Sequence, residues 1–157
     1  MCIRNANQFM ESPKKLQDIK VAVDAVIFGY FDKKDLQILL IKRNIEPFKG
    51  GWALPGGLVL DDESVDDAVK RELYEETDIQ LYQVKQIGAY GKPDRDPRHR
   101  TLTVAYYGET DNLAIAKAKD DAKNVRWFDW DQMPALAFDH SDIVRDAEKR
   151  YIAKPSY

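Results

Sequence analysis

Glu72, Glu75 and Glu76 crowd into the run Arg71-Glu72-Leu73-Tyr74-Glu75-Glu76. On a helix, residues four apart lie one turn from each other, so Glu72 and Glu76 can reach a common point. At about 100° per residue, Val65, Ala68, Val69 and Leu73 gather on one face; Glu72 and Glu76 fall in its middle and Glu75 at its edge. An unpaired carboxylate buried there costs several kcal/mol or takes up a proton. A bound divalent cation is the simplest compensation. Arg71, four residues before Glu75, can hold that carboxylate by a charge-assisted hydrogen bond.

The elements around this run must hold it in place. A helix is predicted from Ser64 to about Thr77, with Ser64 capping the first turn and Asp67 following as in a loose capping box. Leu54-Pro55-Gly56-Gly57 precedes it as a tight loop whose backbone can approach a ligand closely. Gly57, five residues, Glu63, seven residues, then Arg71 to Glu76 resembles the signature box of the Nudix hydrolases. That family cleaves nucleoside diphosphates linked to another group, using magnesium or manganese. The resemblance implies metal ligation by Glu72, Glu75 and Glu76, with the carbonyl of Gly57 as a further ligand. It implies that Glu63 and Arg71 keep loop and helix in register. One position departs: the box normally carries glycine where Asp78 stands. Glycine there would form a left-handed helix end, a conformation aspartate tolerates better than most residues. For a general base outside the box, Glu109, Asp120, Asp121 and Asp139 are all candidates, and a box glutamate is equally admissible.

Strands are predicted at Val21 to Tyr30, Leu36 to Ile41, Leu81 to Tyr90, Thr101 to Glu109 and Val125 to Trp130, with a closing helix from Asp139 to Ile152. Strands and helices mix without a regular βαβ repeat, which indicates an α+β fold. The resemblance narrows this to an α/β/α sandwich around a mixed β-sheet. Residues 1–19 read as a polar N-terminal arm and 20–157 as a single Nudix domain.

The loop Gly91 to Arg98 brings Lys92, Arg95 and Arg98 together, and Arg98 could grip a phosphate bidentately where Lys92 would act as a point charge. The segment from Gly91 to Tyr106 resembles that of ADP-ribose pyrophosphatases. This implies ADP-ribose, a small-molecule nucleoside diphosphate, as substrate, with AMP and ribose 5-phosphate as products. Arg43, Phe48 and Trp52 could line an adenine or ribose pocket, although a tryptophan is more often core than stacking platform, since large aromatics bury most of their area. The segment Trp127 to Tyr157, with Leu136-Ala137-Phe138-Asp139-His140, is also similar to the Nudix part of transcriptional regulators of NAD metabolism. An ADP-ribose-sensing module with little or no turnover is therefore the alternative, and a nucleoside-triphosphate sanitiser of the same fold a third.

Composition frames these readings. A chain of 157 residues, 44% hydrophobic, suits one domain with a substantial core. A net charge of −3 and a pI near 5.4 argue against a general nucleic-acid surface. No apolar run approaches the roughly 20 residues of a membrane helix. The single cysteine, Cys2, allows no intrachain disulfide, which points to a reducing cytoplasm. Resemblance to ADP-ribose hydrolases, many of them dimers, leaves a homodimer open, with the N-terminal segment as an exchanged arm.

Overall fold

The computed structural model describes residues 16–31, 35–111 and 124–152. In chain order the elements are β1 (Lys20–Phe31), β2 (Asp35–Lys42), β3 (Trp52–Ala53), β4 (Gly56–Leu58), α1 (Val65–Thr77), β5 (Lys85–Tyr90), β6 (Thr101–Thr110), β7 (Val125–Asp129) and α2 (His140–Ala147). β1 is the centre of the sheet. It pairs antiparallel with β2 and β4 and parallel with β6, from Lys20 opposite Thr101 to Gly29 opposite Thr110. β3 and β7 pair with β2, and β5 closes the far edge against β6.

The two-residue period of β1 builds both layers at once. Val23, Ala25 and Ile27 meet Ala68, Val69 and Leu73 of α1, whereas Val26 and Phe28 share a core with Ile143, Val144 and Ala147 of α2. The result is the expected α+β arrangement, a mixed sheet between helical layers. Asp24 breaks the alternation. It falls on the α2 face, where the period calls for an apolar side chain, and is 7% exposed.

α1 begins as expected, with the Ser64 hydroxyl accepting from Asp67 N at 3.1 Å. It ends at Asp78, whose φ of 59° is left-handed and whose N–H donates to Tyr74 O at 2.9 Å. The strand predicted from Leu81 starts only at Lys85. Leu81 and Val84 pack into the α1-side core, and Leu81 covers Gly108, where a Cβ would stand 2.6 Å from its Cδ1. β3 and β4 lie in what reads as loop, because two or three residues are too short to show a period. The closing helix leaves α geometry after Ala147 and continues as a π-helical turn, Glu148–Ile152. This wider turn sends Arg150 and Tyr151 to carbonyls on β5, covering part of an otherwise open edge. Among the described residues no helix is long and apolar enough to cross a membrane. Residues 1–15 of the polar arm, and Asp120 and Asp121, lie outside the described residues.

Candidate active site

The box is laced to the sheet through glycines. Gly56 and Gly57 sit in β4 opposite Asp24 and Val23. A Cβ on Gly56 would stand 2.1 Å from Val23 O, so that position admits no side chain, and one on Gly57 would stand 2.4 Å from Glu72 Oε1, so the Glu72 carboxylate would have to move. Gly56 N–H donates to Glu76 Oε2 at 2.9 Å. Arg71 then ties the acidic residues together. Its Nε donates to Glu63 Oε2 at 2.8 Å, its Nη1 to Glu72 Oε1 at 2.7 Å and Glu75 Oε2 at 3.1 Å, and its Nη2 to Leu58 O at 3.1 Å. The Arg71 hydrogen bonds pull the Glu63 carboxyl down to about 2, and in return Glu63 and then Glu72 raise the guanidinium. Arg71 thereby joins Glu63 and the Leu58 carbonyl, both ahead of α1, to Glu72 and Glu75 within it.

Glu76 behaves differently. Burial, then the charges of Glu72 and Asp24, push its carboxyl up to about 8 against the pull of Gly56 N–H. Glu72 is mostly covered, whereas the Glu75 side chain is 56% exposed. Among the described residues no three acidic, imidazole or thiol side chains are drawn together as a ready-made metal cage. The three carboxylates have different partners: Arg71 holds Glu72 and Glu75, while Glu76 accepts from Gly56 N–H. The donor set still fits a small hard dication. Two largely covered carboxylates stand beside a glycine backbone with no Cβ to obstruct it, and magnesium keeps several waters rather than requiring a full protein cage.

Beside the box lies a cavity of about 420 Å3. Its lining includes the acidic Glu76 and Asp24 with Gly56 and Gly57, and the basic Arg43 and Arg98. Asp24 is fixed from behind, 3.4 Å from His140 Nε2 and 3.6 Å from Arg95 Nη2. His140 Nδ1 accepts from Leu54 N at 3.0 Å, which assigns its proton to Nε2, facing Asp24. Burial keeps this imidazole below its ordinary value.

The predicted contacts divide. Arg43 and Arg98 line the cavity. Arg95 reaches its wall too, with its guanidinium buried and paired with Asp139 at 2.7 and 3.0 Å, so it braces the loop. Trp52 is a correction: it pairs edge-to-face with Phe128, centroids 4.7 Å apart, and packs against the α2-side core away from the cavity. The pairing of β3 with β2 turns it there. Lys92 is a second correction, exposed and pointing to Asp142 at 3.9 Å in a separate surface depression. Of the suggested bases, Glu109 is exposed at the end of β6 and Asp139 is bound to Arg95. Sequence reasoning missed Asp24 and Phe138. A carboxylate inside the strand Val21-Ala22-Val23-Asp24-Ala25-Val26 was a readable signal for the first; Phe138 reaches the cavity only through the tertiary fold.

A mixed-sheet sandwich with a Gly-Gly strand laced to an acidic helix defines a protein class, and comparison with known proteins agrees. The NUDIX domain family model matches residues 19–147. The chain belongs to the Nudix family, and that match together with its archaeal relative puts it in the Nudix pyrophosphohydrolase class. This relative, an ADP-ribose pyrophosphatase of Methanocaldococcus jannaschii, is 46% identical over 127 residues, which cover 80% of this chain and 71% of that protein. An ADPR responsive transcriptional repressor of Acinetobacter baylyi is 35% identical over 141 residues, 87% of this chain but 56% of the repressor. Among solved structures, the Nudix domain of Shewanella oneidensis NrtR complexed with ADP ribose superimposes with a TM-score of 0.76 at 34% identity. That match covers 90% of this chain and 94% of that domain. A MutT/nudix family protein from Enterococcus faecalis gives a TM-score of 0.78 at 32% identity, covering 90% of this chain and 65% of that one.

Proposed function

We propose that this chain, a single Nudix domain over residues 20–157, hydrolyses the diphosphate of ADP-ribose to AMP and ribose 5-phosphate. Glu72, Glu76 and the Gly57 carbonyl would hold Mg2+ or Mn2+, with Glu75 at the rim of the same site. When bound, the dication lowers the pKa of a water and neutralises charge on the phosphates. Arg71 and Glu63 keep the helix and the β4 strand at fixed separation. Arg98 on the cavity wall presents charge to a phosphate while Asp96 holds its Nε and Nη2 at 3.0 and 2.7 Å. Asp24, braced by His140 and Arg95, is the carboxylate outside the box that stands beside Glu76 on this wall.

The observation that carries the reading is Glu76. It lines the cavity with Asp24 and Gly57 and accepts from Gly56 N–H at 2.9 Å; burial raises its carboxyl, and a cation is the partner that would let it ionise near neutral pH. Support for the substrate comes from the archaeal relative's name and from the ADP ribose bound in the NrtR domain. The test is a magnesium-dependent panel of ADP-ribose, other nucleoside diphosphate derivatives and modified nucleoside triphosphates, compared by kcat/KM. A preference for triphosphates would overturn the assignment.

The second reading, an ADP-ribose sensor, draws on the likeness to the NrtR domain. Saturable ADP-ribose binding with no product over long incubation in magnesium would establish it instead.

A further inference from the structure

Asp24 places a carboxylate inside the central strand, where β1 should present an apolar side chain, and it is 7% exposed. Sequences break their local rules in this way where function requires it. The neighbours of Asp24 hold it without using it up. His140 Nε2 stands 3.4 Å from Oδ1 and Arg95 Nη2 3.6 Å from Oδ2, both longer than the roughly 3 Å of a good hydrogen bond. Arg95 spends its short bonds on Asp139, at 2.7 and 3.0 Å. A carboxylate built only to clamp strand, loop and helix together would take those bonds itself. The other charged groups that face Asp24 are Arg43, of opposite sign, and Glu76, of like sign.

Three carboxylates line the cavity beside the box: Asp24, Glu76 and Asp96. Asp96 already accepts from Arg98 N, Nε and Nη2 at 3.0, 3.0 and 2.7 Å. Glu76 accepts from Gly56 N–H and is a cation ligand in the reading above. Among the described residues, Asp24 is the one of the three that accepts no short hydrogen bond. The sheet also fixes its place, because Asp24 pairs with Gly56, the residue whose N–H holds Glu76. His140 serves it in one orientation: Nδ1 accepts from Leu54 N at 3.0 Å, so the single N–H of the neutral ring is at Nε2 and faces Asp24.

We propose that Asp24 is the catalytic base of the hydrolysis, with His140 as its positioning residue. This rests on the diphosphate reading and deepens it. An Asp24 oxygen would accept a proton from the attacking water as the water oxygen bonds to phosphorus. The P–O bond to the leaving phosphate breaks with its electron pair, and Asp24 then releases the proton to solvent.

The test is steady-state hydrolysis of ADP-ribose by Asp24→Asn, beside Mn2+ binding followed by electron paramagnetic resonance, with circular dichroism as the fold control. The variant should lose roughly a hundredfold or more in kcat, the usual effect of removing a general base, with KM within a few-fold and Mn2+ bound as in wild type. Asp24→Ser, smaller and also neutral, carries the same expectation should the asparagine variant not fold. His140→Gln can still accept from Leu54 and donate to Asp24, so it should keep most of the kcat that His140→Leu loses. A smaller loss of kcat in the Asp24 variants, or a loss of Mn2+ binding, would overturn the base, and a His140→Leu as active as His140→Gln would overturn the positioning role. A wild type that turns over no diphosphate would sink the hydrolase reading and the base with it, whereas an active wild type indifferent to Asp24 sinks the base alone.

Discussion

Replacing Glu76 by glutamine should make the metal-free protein less sensitive to pH and, in alkaline buffer, more stable. The carboxyl titrates at about 8 in the fold against an ordinary 4.5, with burial the first cause. Below 4.5 both folded and unfolded chains carry the proton and the group costs nothing. Between 4.5 and 8 the unfolded chain has lost the proton and the folded one keeps it, so stability falls as pH rises. Above 8 the full penalty is in place. The slope reaches about 1.4 kcal/mol per pH unit, summing to a few kcal/mol as an upper bound. At roughly 2–4 °C per kcal/mol for a domain near this size, the Tm in EDTA should drop by the order of ten degrees across the window through this group. Glutamine keeps an oxygen for Gly56 N–H and removes the charge, so this contribution should vanish. Magnesium should raise the wild-type Tm increasingly above neutral pH and leave the variant unchanged. The assay is a matched set of calorimetric melts of both proteins from pH 5 to 9, with EDTA or magnesium. A wild type and a variant whose melting temperatures run parallel at all pH values would refute the reasoning.

Other substitutions read different parts of the site. Gly57→Ala places a Cβ 2.4 Å from Glu72 Oε1 and should cut kcat by at least an order of magnitude, checked by steady-state kinetics with circular dichroism as the fold control. Asp78→Gly relieves a left-handed φ and should gain up to about 1 kcal/mol by urea unfolding, with kcat unchanged; a large gain in activity would mean the helix end sets the metal site. Lys92→Ala should leave KM for ADP-ribose within twofold, roughly the span of an uncoupled surface change. His140→Ala strands the Leu54 N–H and should cost about 1–3 kcal/mol in denaturant unfolding.

Local chemistry was legible where its reach was local. The box could be read because Gly57, Glu63 and Arg71 to Glu76 sit at offsets that one strand, one turn and one helix convert directly into contacts. β1 was legible as a strand, and Asp78 took the left-handed end its position implied. The cavity's far wall was not legible in the same way. Trp52 and Arg43 both precede the box, but whether each faces ligand or core depends on how β3 pairs with β2. Lys92, Arg95 and Arg98 share a loop whose path sends one to solvent, one onto Asp139 and one to the cavity. Phe138 arrives from the far end of the chain, and only tertiary contact brings it between the two arginines.

Phosphorus NMR of ADP-ribose incubated with the protein and magnesium addresses the central claim most directly. The expected result is loss of the diphosphate resonances, growth of the phosphomonoester signals of AMP and ribose 5-phosphate, and arrest of both on adding EDTA. Diphosphate resonances that broaden on binding yet persist unchanged through long incubation would contradict it.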